Sequence, residues 1–150
     1  MPGEPSYLVD TNVLLRLCKA DDPQHGLVQA AVDRLFSAGT ALCYTSQNLA
    51  EFWNVCTRPV DRNGLGLSIP ETDRRARAIE SVMVLLPDGE AVHREWRRLV
   101  VAYEVRGAQV HDARLAAAML VHGVAHVLTM DESDFMRFAG VTAVHPRTLT

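Results

Sequence analysis

Apolar residues in this chain fall into short blocks separated by longer stretches in which they recur every three to four positions, the signature of strands alternating with helices. The first block, Tyr7-Leu8-Val9, is too short for a helix and stops abruptly at Asp10-Thr11-Asn12. Val13, Leu14, Leu15 and Leu17 then resume the pattern, so the segment reads as strand, tight turn, helix. Asp22-Pro23 reads as an N-cap with proline at the first helical position, followed by Leu27, Val28, Ala31, Leu35 and Phe36 at helical spacing. Positions 40–44 form a second strand. Thr45-Ser46 opens a helix with Leu49, Phe52, Trp53 and Cys56 on its apolar side, and Arg58-Pro59 ends it.

Positions 61–69 hold two glycines and few packing residues, which predicts an exposed loop. Ser68 and Glu71 have capping-box spacing and start an arginine-rich helix over 71–81. Positions 82–86 fit either the tail of that helix or a strand, and Pro87-Asp88-Gly89 favours the strand. A long amphipathic helix over 90–105 buries Val92, Trp96, Leu99, Val100 and Tyr103. Val110-His111-Asp112 leads into an alanine-rich helix over 113–122 that stops at Gly123. Strands at 124–129 and 141–144 flank a turn and helix start at 130–135. The expected fold is α/β: a single domain with a central parallel sheet flanked by helices on both faces. Right-handed crossovers then bring every strand-to-helix junction to one edge, where ligands bind in open α/β sheets.

Composition narrows the class. At 150 residues and 48% hydrophobic, the chain is long enough to bury a core without staples. The 3 cysteines, Cys18, Cys43 and Cys56, are widely spaced with no CxxC, as expected of free thiols in a reducing compartment. No basic leader precedes an apolar stretch, and the longest apolar run is far too short to cross a bilayer; both point to the cytoplasm. A net charge of −3 argues against bulk electrostatic binding of nucleic acid. Lys19 is nevertheless the only lysine among 15 basic residues, and Arg74, Arg75, Arg77, Arg94, Arg97 and Arg98 form two clusters whose forks suit phosphate. A solvated helix face explains the same clusters.

Four acids fall at or just after the junctions: Asp10, Glu51, Asp112 and Asp131, with Asp134 as the alternative fourth. Singly, each has an ordinary reading. Asp10 and Asp112 make good N-caps, Glu51 shares a polar face with Gln47, Asn48 and Asn54, and Asp131 and Asp134 lie in a turn. Together on one edge they would repel, and oxygen-only ligands suit Mg²⁺, with Mn²⁺ as substitute, rather than zinc. His122 and His126 have the spacing of a zinc pair, but Gly123 breaks the helix between them. No dinucleotide, P-loop or serine-hydrolase motif is present.

Four stretches in this order resemble the PIN domain, and within it the VapC-type toxins of bacterial toxin–antitoxin pairs. They are Tyr7 to Leu15, Thr45-Ser46-Gln47-Asn48-Leu49-Ala50-Glu51-Phe52, His111-Asp112-Ala113-Arg114-Leu115-Ala116-Ala117 and Leu128-Thr129-Met130-Asp131-Glu132-Ser133-Asp134-Phe135. The resemblance spans nearly the whole chain and implies a metal-dependent endoribonuclease with Asp10, Glu51 and Asp112 as core acids. Asp131 is placed fourth, with Asp134 as its alternative, and Asn12 and Thr129 take accessory polar roles. It further implies a cognate antitoxin and a homodimer. The arginine clusters are then the candidates for gripping RNA. Two rival classes remain at this stage: a phosphotransfer or phosphatase module using Asp10, and a catalytically silent PIN-like binding module.

Overall fold

Strand β1 (Ser6–Val9) lies at the centre of a five-stranded parallel sheet. Its neighbours are β2 (Ala41–Thr45) and β4 (His126–Leu128), with β3 (Val84–Leu86) and β5 (Thr142–Val144) at the edges. A computed structural model describes residues 5–150. The expected absence of a leader falls partly on positions before these and lies outside the described residues. Leu8 pairs with Cys43 and with Val127, and all three face one core. Val9, Leu42, Tyr44 and Leu128, one step out of phase, face the other. This alternation buries the sheet on both faces, as a parallel sheet requires.

The first core is closed by α5 (Glu90–Ala102) and α6 (Gln109–His122), which bring Leu99, Ala116 and Met119 onto the sheet. The alanines of α6 let its axis approach the sheet closely. The second core is closed by α1 (Thr11–Leu17), α2 (His25–Ser37), α3 (Ser46–Thr57) and α4 (Ile69–Val82), through Leu14, Val28, Phe52 and Ile79. Among the described residues, no helix is long and apolar enough to cross a membrane.

Several boundaries differ from the expected ones for local reasons. Asp22 does not cap a helix at Pro23: its carboxylate accepts from the Gln24 amide at 2.8 Å in a turn, and α2 starts only at His25. Ser68 caps α4 through the Glu71 amide at 3.2 Å, but the Glu71 carboxylate turns to Arg74 and Arg75 instead of closing the box. Two charge-assisted bonds outcompete one bond to a backbone amide. Helix α5 ends at Ala102 rather than 105, because Glu104 takes a left-handed φ of 50° and the Val105 amide reaches back 3.0 Å to the Val100 carbonyl.

The most consequential shift is in α6. It begins at Gln109, after Gly107 turns the chain with φ 58°, so Asp112 lies inside the first turn and is not the cap. Its carboxylate is therefore free of a capping duty. Gly123, at φ 70°, stops the helix where expected.

Candidate active site

Asp10 follows β1 directly and is the N-cap of α1. Only 7% exposed, its carboxylate accepts from the Thr11 amide at 2.8 Å and from the Thr129 hydroxyl at 2.8 Å. Burial pushes its pKa up to about 6, helped by the Glu51 and Asp134 carboxylates and opposed by those two hydrogen bonds.

Glu51 reaches the same edge from α3. Its Oε2 accepts from the Thr11 hydroxyl at 2.8 Å, and its Oε1 from the Gln47 amide at 2.8 Å. The polar face that Glu51 shares with Gln47 and Asn48 is taken up by hydrogen bonds. Asn48 is fully buried: its Oδ1 accepts from the Thr45 amide and hydroxyl, both at 2.9 Å, and its Nδ2 donates to Thr11 Oγ1 at 3.1 Å. Thr45 and Asn48 form a reciprocal capping box that fixes the start of α3 beside α1.

Asp112 completes the group from α6. Burial first, then Asp134, Asp10, Glu51 and Asp131 in that order, push its pKa up to about 7. Four acidic neighbours from three other segments raise one carboxyl, so the acids converge electrostatically. Among the described residues no arginine or lysine forms an ion pair with Asp10, Glu51, Asp112 or Asp134. Nor do three His, Cys, Asp or Glu side chains there already close around one point as a finished metal-binding group.

The two candidates for the fourth acid differ in surroundings. Asp131 is exposed, and its carboxylate accepts from the Ser133 hydroxyl at 2.6 Å. Asp134 is half-buried, its pKa raised by burial and by Asp131, and it acts on both Asp10 and Asp112. Asp131 acts on Asp112 but is not among the groups that shift Asp10. Asp134 is thus the more buried of the two and the one whose charge bears on Asp10. Asn12 and Thr129 tie the same segment to α1: Asn12 Oδ1 accepts from the Met130 amide at 3.2 Å, and Asn12 Nδ2 stands 3.5 Å from Thr129 Oγ1.

The six clustered arginines lie on α4 and α5 and bond to none of these acids. Arg74 and Arg75 share Glu71, Arg77 pairs with Asp73 at 3.0 Å, Arg94 with Glu90 and Arg98 with Glu95. Helical spacing places each of these five beside an acid one turn away. Arg97 has no ion pair among the described residues. The histidines do not form a zinc pair: His122 bonds the Pro87 carbonyl at 2.7 Å, whereas the His126 ring stacks on Tyr7 at 4.9 Å.

Sequence reasoning gave Thr11 no role and read Gln47 and Asn48 only as part of a polar face beside Glu51. The Thr45-x-x-Asn48 spacing held a usable capping signal, but nothing local announced that Thr11 would bridge to Glu51.

Comparison with known proteins places this geometry in a family. The model for the PIN domain matches residues 7–141. Ribonuclease VapC31 of Mycobacterium tuberculosis is 30% identical over 146 residues, covering 93% of this chain and 98% of the relative. Ribonuclease VapC25 of the same species is 29% identical over 144 residues, covering 93% and 98%. In fold, the chain resembles VapBC-1 from nontypeable Haemophilus influenzae, with a TM-score of 0.70 at 14% identity over 94% of this chain and 98% of that one. It also resembles Mycobacterium tuberculosis VapC20, described as a Sarcin-Ricin loop cleaving toxin, with a TM-score of 0.63 at 20% identity over 91% and 98%. The chain thus belongs to the PIN domain family, among its VapC-type members.

Proposed function

We propose that this chain is the toxin of a toxin–antitoxin pair, an endoribonuclease that hydrolyses RNA phosphodiester bonds with Mg²⁺, or Mn²⁺ in its place. The observation that carries this reading is the convergence of Asp10, Glu51 and Asp112 at one sheet edge with no ion-paired arginine or lysine among the described residues. A carboxylate group kept for stability would be paired; this one is crowded and partly desolvated instead. The ribonuclease naming of the VapC relatives supports the same reaction.

The donor set fits a hard divalent cation, being entirely oxygen. Asp10, Glu51, Asp112 and Asp134, with Asp131 as the outer alternative, would hold it. When bound, such a cation offsets charge on the scissile phosphate and lowers the pKa of a bound water. Hydrolysis by water leaves a 5′-phosphate and a 3′-hydroxyl and does not use the RNA 2′-hydroxyl.

The chain's own residues do the positioning. The Thr129 hydroxyl holds Asp10, the Thr11 hydroxyl and Gln47 amide hold Glu51, and Asn12 ties the Met130 amide to α1. RNA is gripped by arginines rather than by the acids, with Arg74, Arg75, Arg77, Arg94, Arg97 and Arg98 as candidates; Arg97 carries no competing carboxylate among the described residues. The antitoxin partner is supported by likeness to VapBC complexes such as VapBC2 from Rickettsia felis, matched with a TM-score of 0.69 at 12% identity. The homodimer and the cytoplasmic setting belong to the same reading. Phosphotransfer through Asp10 has less support, since both carboxylate oxygens already accept hydrogen bonds and Lys19 is paired with Asp21 at 3.3 Å.

The test is cleavage of total cellular RNA by purified wild type and Asp10→Asn, with Mg²⁺, Mn²⁺ or EDTA, and mapping of fragment ends. Metal-dependent 5′-phosphate products absent from the variant are expected. Equal behaviour of the two folded proteins would overturn the reading.

A further inference from the structure

Glu51 is held at both carboxylate oxygens, and the two holders lead to the other acids. Thr11, which donates to Oε2, directly follows Asp10. Gln47, which donates to Oε1, sends its Nε2 also to the His111 carbonyl at 2.9 Å, and His111 directly precedes Asp112. A line of hydrogen bonds from neutral donors therefore runs from the tip of β1 through α3 to the first turn of α6. Among the described residues, the Gln47–His111 bond is the one side-chain hydrogen bond between α3 and α6.

Chemistry fixes the orientation of the Gln47 amide. A carboxylate and a carbonyl are both pure acceptors, so the NH₂ must face them, and the flipped amide would set oxygen against oxygen. That leaves Gln47 Oε1 buried with no donor among the described residues. Packing or solubility does not account for a glutamine kept with a buried, unpaired acceptor, because a residue without the amide would avoid that loss. The bonds made by the other end of the amide account for it.

Helix α6 needs such a tether. Its N-cap, Ala108, supplies no side-chain bond, and the first turn is otherwise held by α5, where Trp96 Nε1 donates to the Val110 carbonyl at 2.9 Å, and by Arg137, which donates to Gln109 Oε1; neither reaches α3. We propose that Gln47 is a positioning residue that sets the separation of Glu51 and Asp112 by clamping α3 to the first turn of α6. A neutral amide does this without placing a cation where it would compete for the carboxylates. The proposal rests on the nuclease reading only in taking Glu51 and Asp112 as the acids that act together.

The experiment compares wild type with Gln47→Met, which keeps length and loses both bonds, and Gln47→Glu, which keeps shape and loses both donors. Amide hydrogen exchange across residues 109–113 of the metal-free proteins, Mn²⁺ affinity by calorimetry, and kcat and KM on RNA are read in parallel. Exchange in the first turn of α6 is expected to rise several-fold. Mn²⁺ affinity should fall roughly tenfold, and kcat roughly ten- to a hundredfold with KM unchanged, as when an outer partner of a metal ligand is removed. Unchanged exchange and Mn²⁺ affinity in folded variants would overturn the proposal. So would a raised KM with unchanged kcat, which would make Gln47 an RNA contact, and so would failure of both variants to fold. If wild type cleaves no RNA, the nuclease reading falls, while exchange and Mn²⁺ affinity still decide the role of Gln47.

Discussion

The Thr129 hydroxyl donates to Asp10 Oδ2 at 2.8 Å, joining the ends of the adjacent strands β1 and β4 through a fully buried side chain. The same oxygen accepts from the Asp131 amide at 3.0 Å, so one hydroxyl orders both the central acid and the loop that carries the outer ones. This bond, more than the one from the Thr11 amide, pulls the Asp10 pKa down against burial.

Thr129→Val keeps the shape and removes both bonds. The Asp10 carboxyl should then titrate above about 6. Stability should fall by about 1–3 kcal/mol, the usual range for a buried polar group losing its partner. Carboxyl NMR titration and urea denaturation check the two effects separately.

Stability should fall as pH rises through the acidic range. Asp10 and Asp112 titrate near 6 and 7 in the folded chain, raised from 3.8. Between those values the native state binds more protons than the unfolded state, so folding weakens with rising pH. Comparing wild type with Asp112→Asn in denaturation series from pH 4 to pH 8 isolates one of the two groups. The variant should show a smaller loss and be more stable at neutral pH without metal by on the order of 1–2 kcal/mol. Added Mg²⁺ should stabilise wild type near neutrality and have little effect near pH 4, where the ligands are protonated.

Replacing the fourth acid should discriminate its two candidates. Asp134→Asn is expected to lower RNA cleavage by at least roughly tenfold, and Asp131→Asn by only a few-fold. The basis is that Asp134 acts on both Asp10 and Asp112, whereas exposed Asp131 is bonded to Ser133. Initial rates on one RNA substrate, with circular dichroism as a fold control, decide between them; the reverse order would make Asp131 the inner acid.

Asn48→Ala should destabilise the chain more than it first alters chemistry. The side chain is 0% exposed and joins the cap of α3 to Thr11, so its loss leaves the Thr45 amide and the Thr11 hydroxyl short of partners. A cost of about 2–4 kcal/mol is expected from the lost cap and the stranded groups, measurable by chemical denaturation.

Much of this molecule is written in local pattern. Short apolar blocks against helical repeats predict the strand–helix alternation, and alternation predicts a parallel sheet with its junctions on one edge. Asp10, Glu51 and Asp112 could be nominated from that alone, because their places depend on which element each one ends or begins. Boundaries were harder to read where two local interactions compete, as at Asp22, Glu71 and Glu104. In each case a hydrogen bond or charge pair with a near neighbour displaces the expected cap or end.

Tertiary structure alone decided how the acids are held. Thr11 lies 40 positions from Glu51 and Thr129 119 positions from Asp10, and no periodicity within either segment encodes those bonds. The difference in surroundings between Asp131 and Asp134 has the same origin. Both fit the turn equally well, and only the way Glu132–Asp134 winds over the sheet edge exposes one carboxylate and half-buries the other. Local sequence determines which residues reach the edge because secondary structure depends on neighbours. The separation, burial and charge of the carboxylates once there depend on elements far apart in the chain, and exist only after the helices have packed.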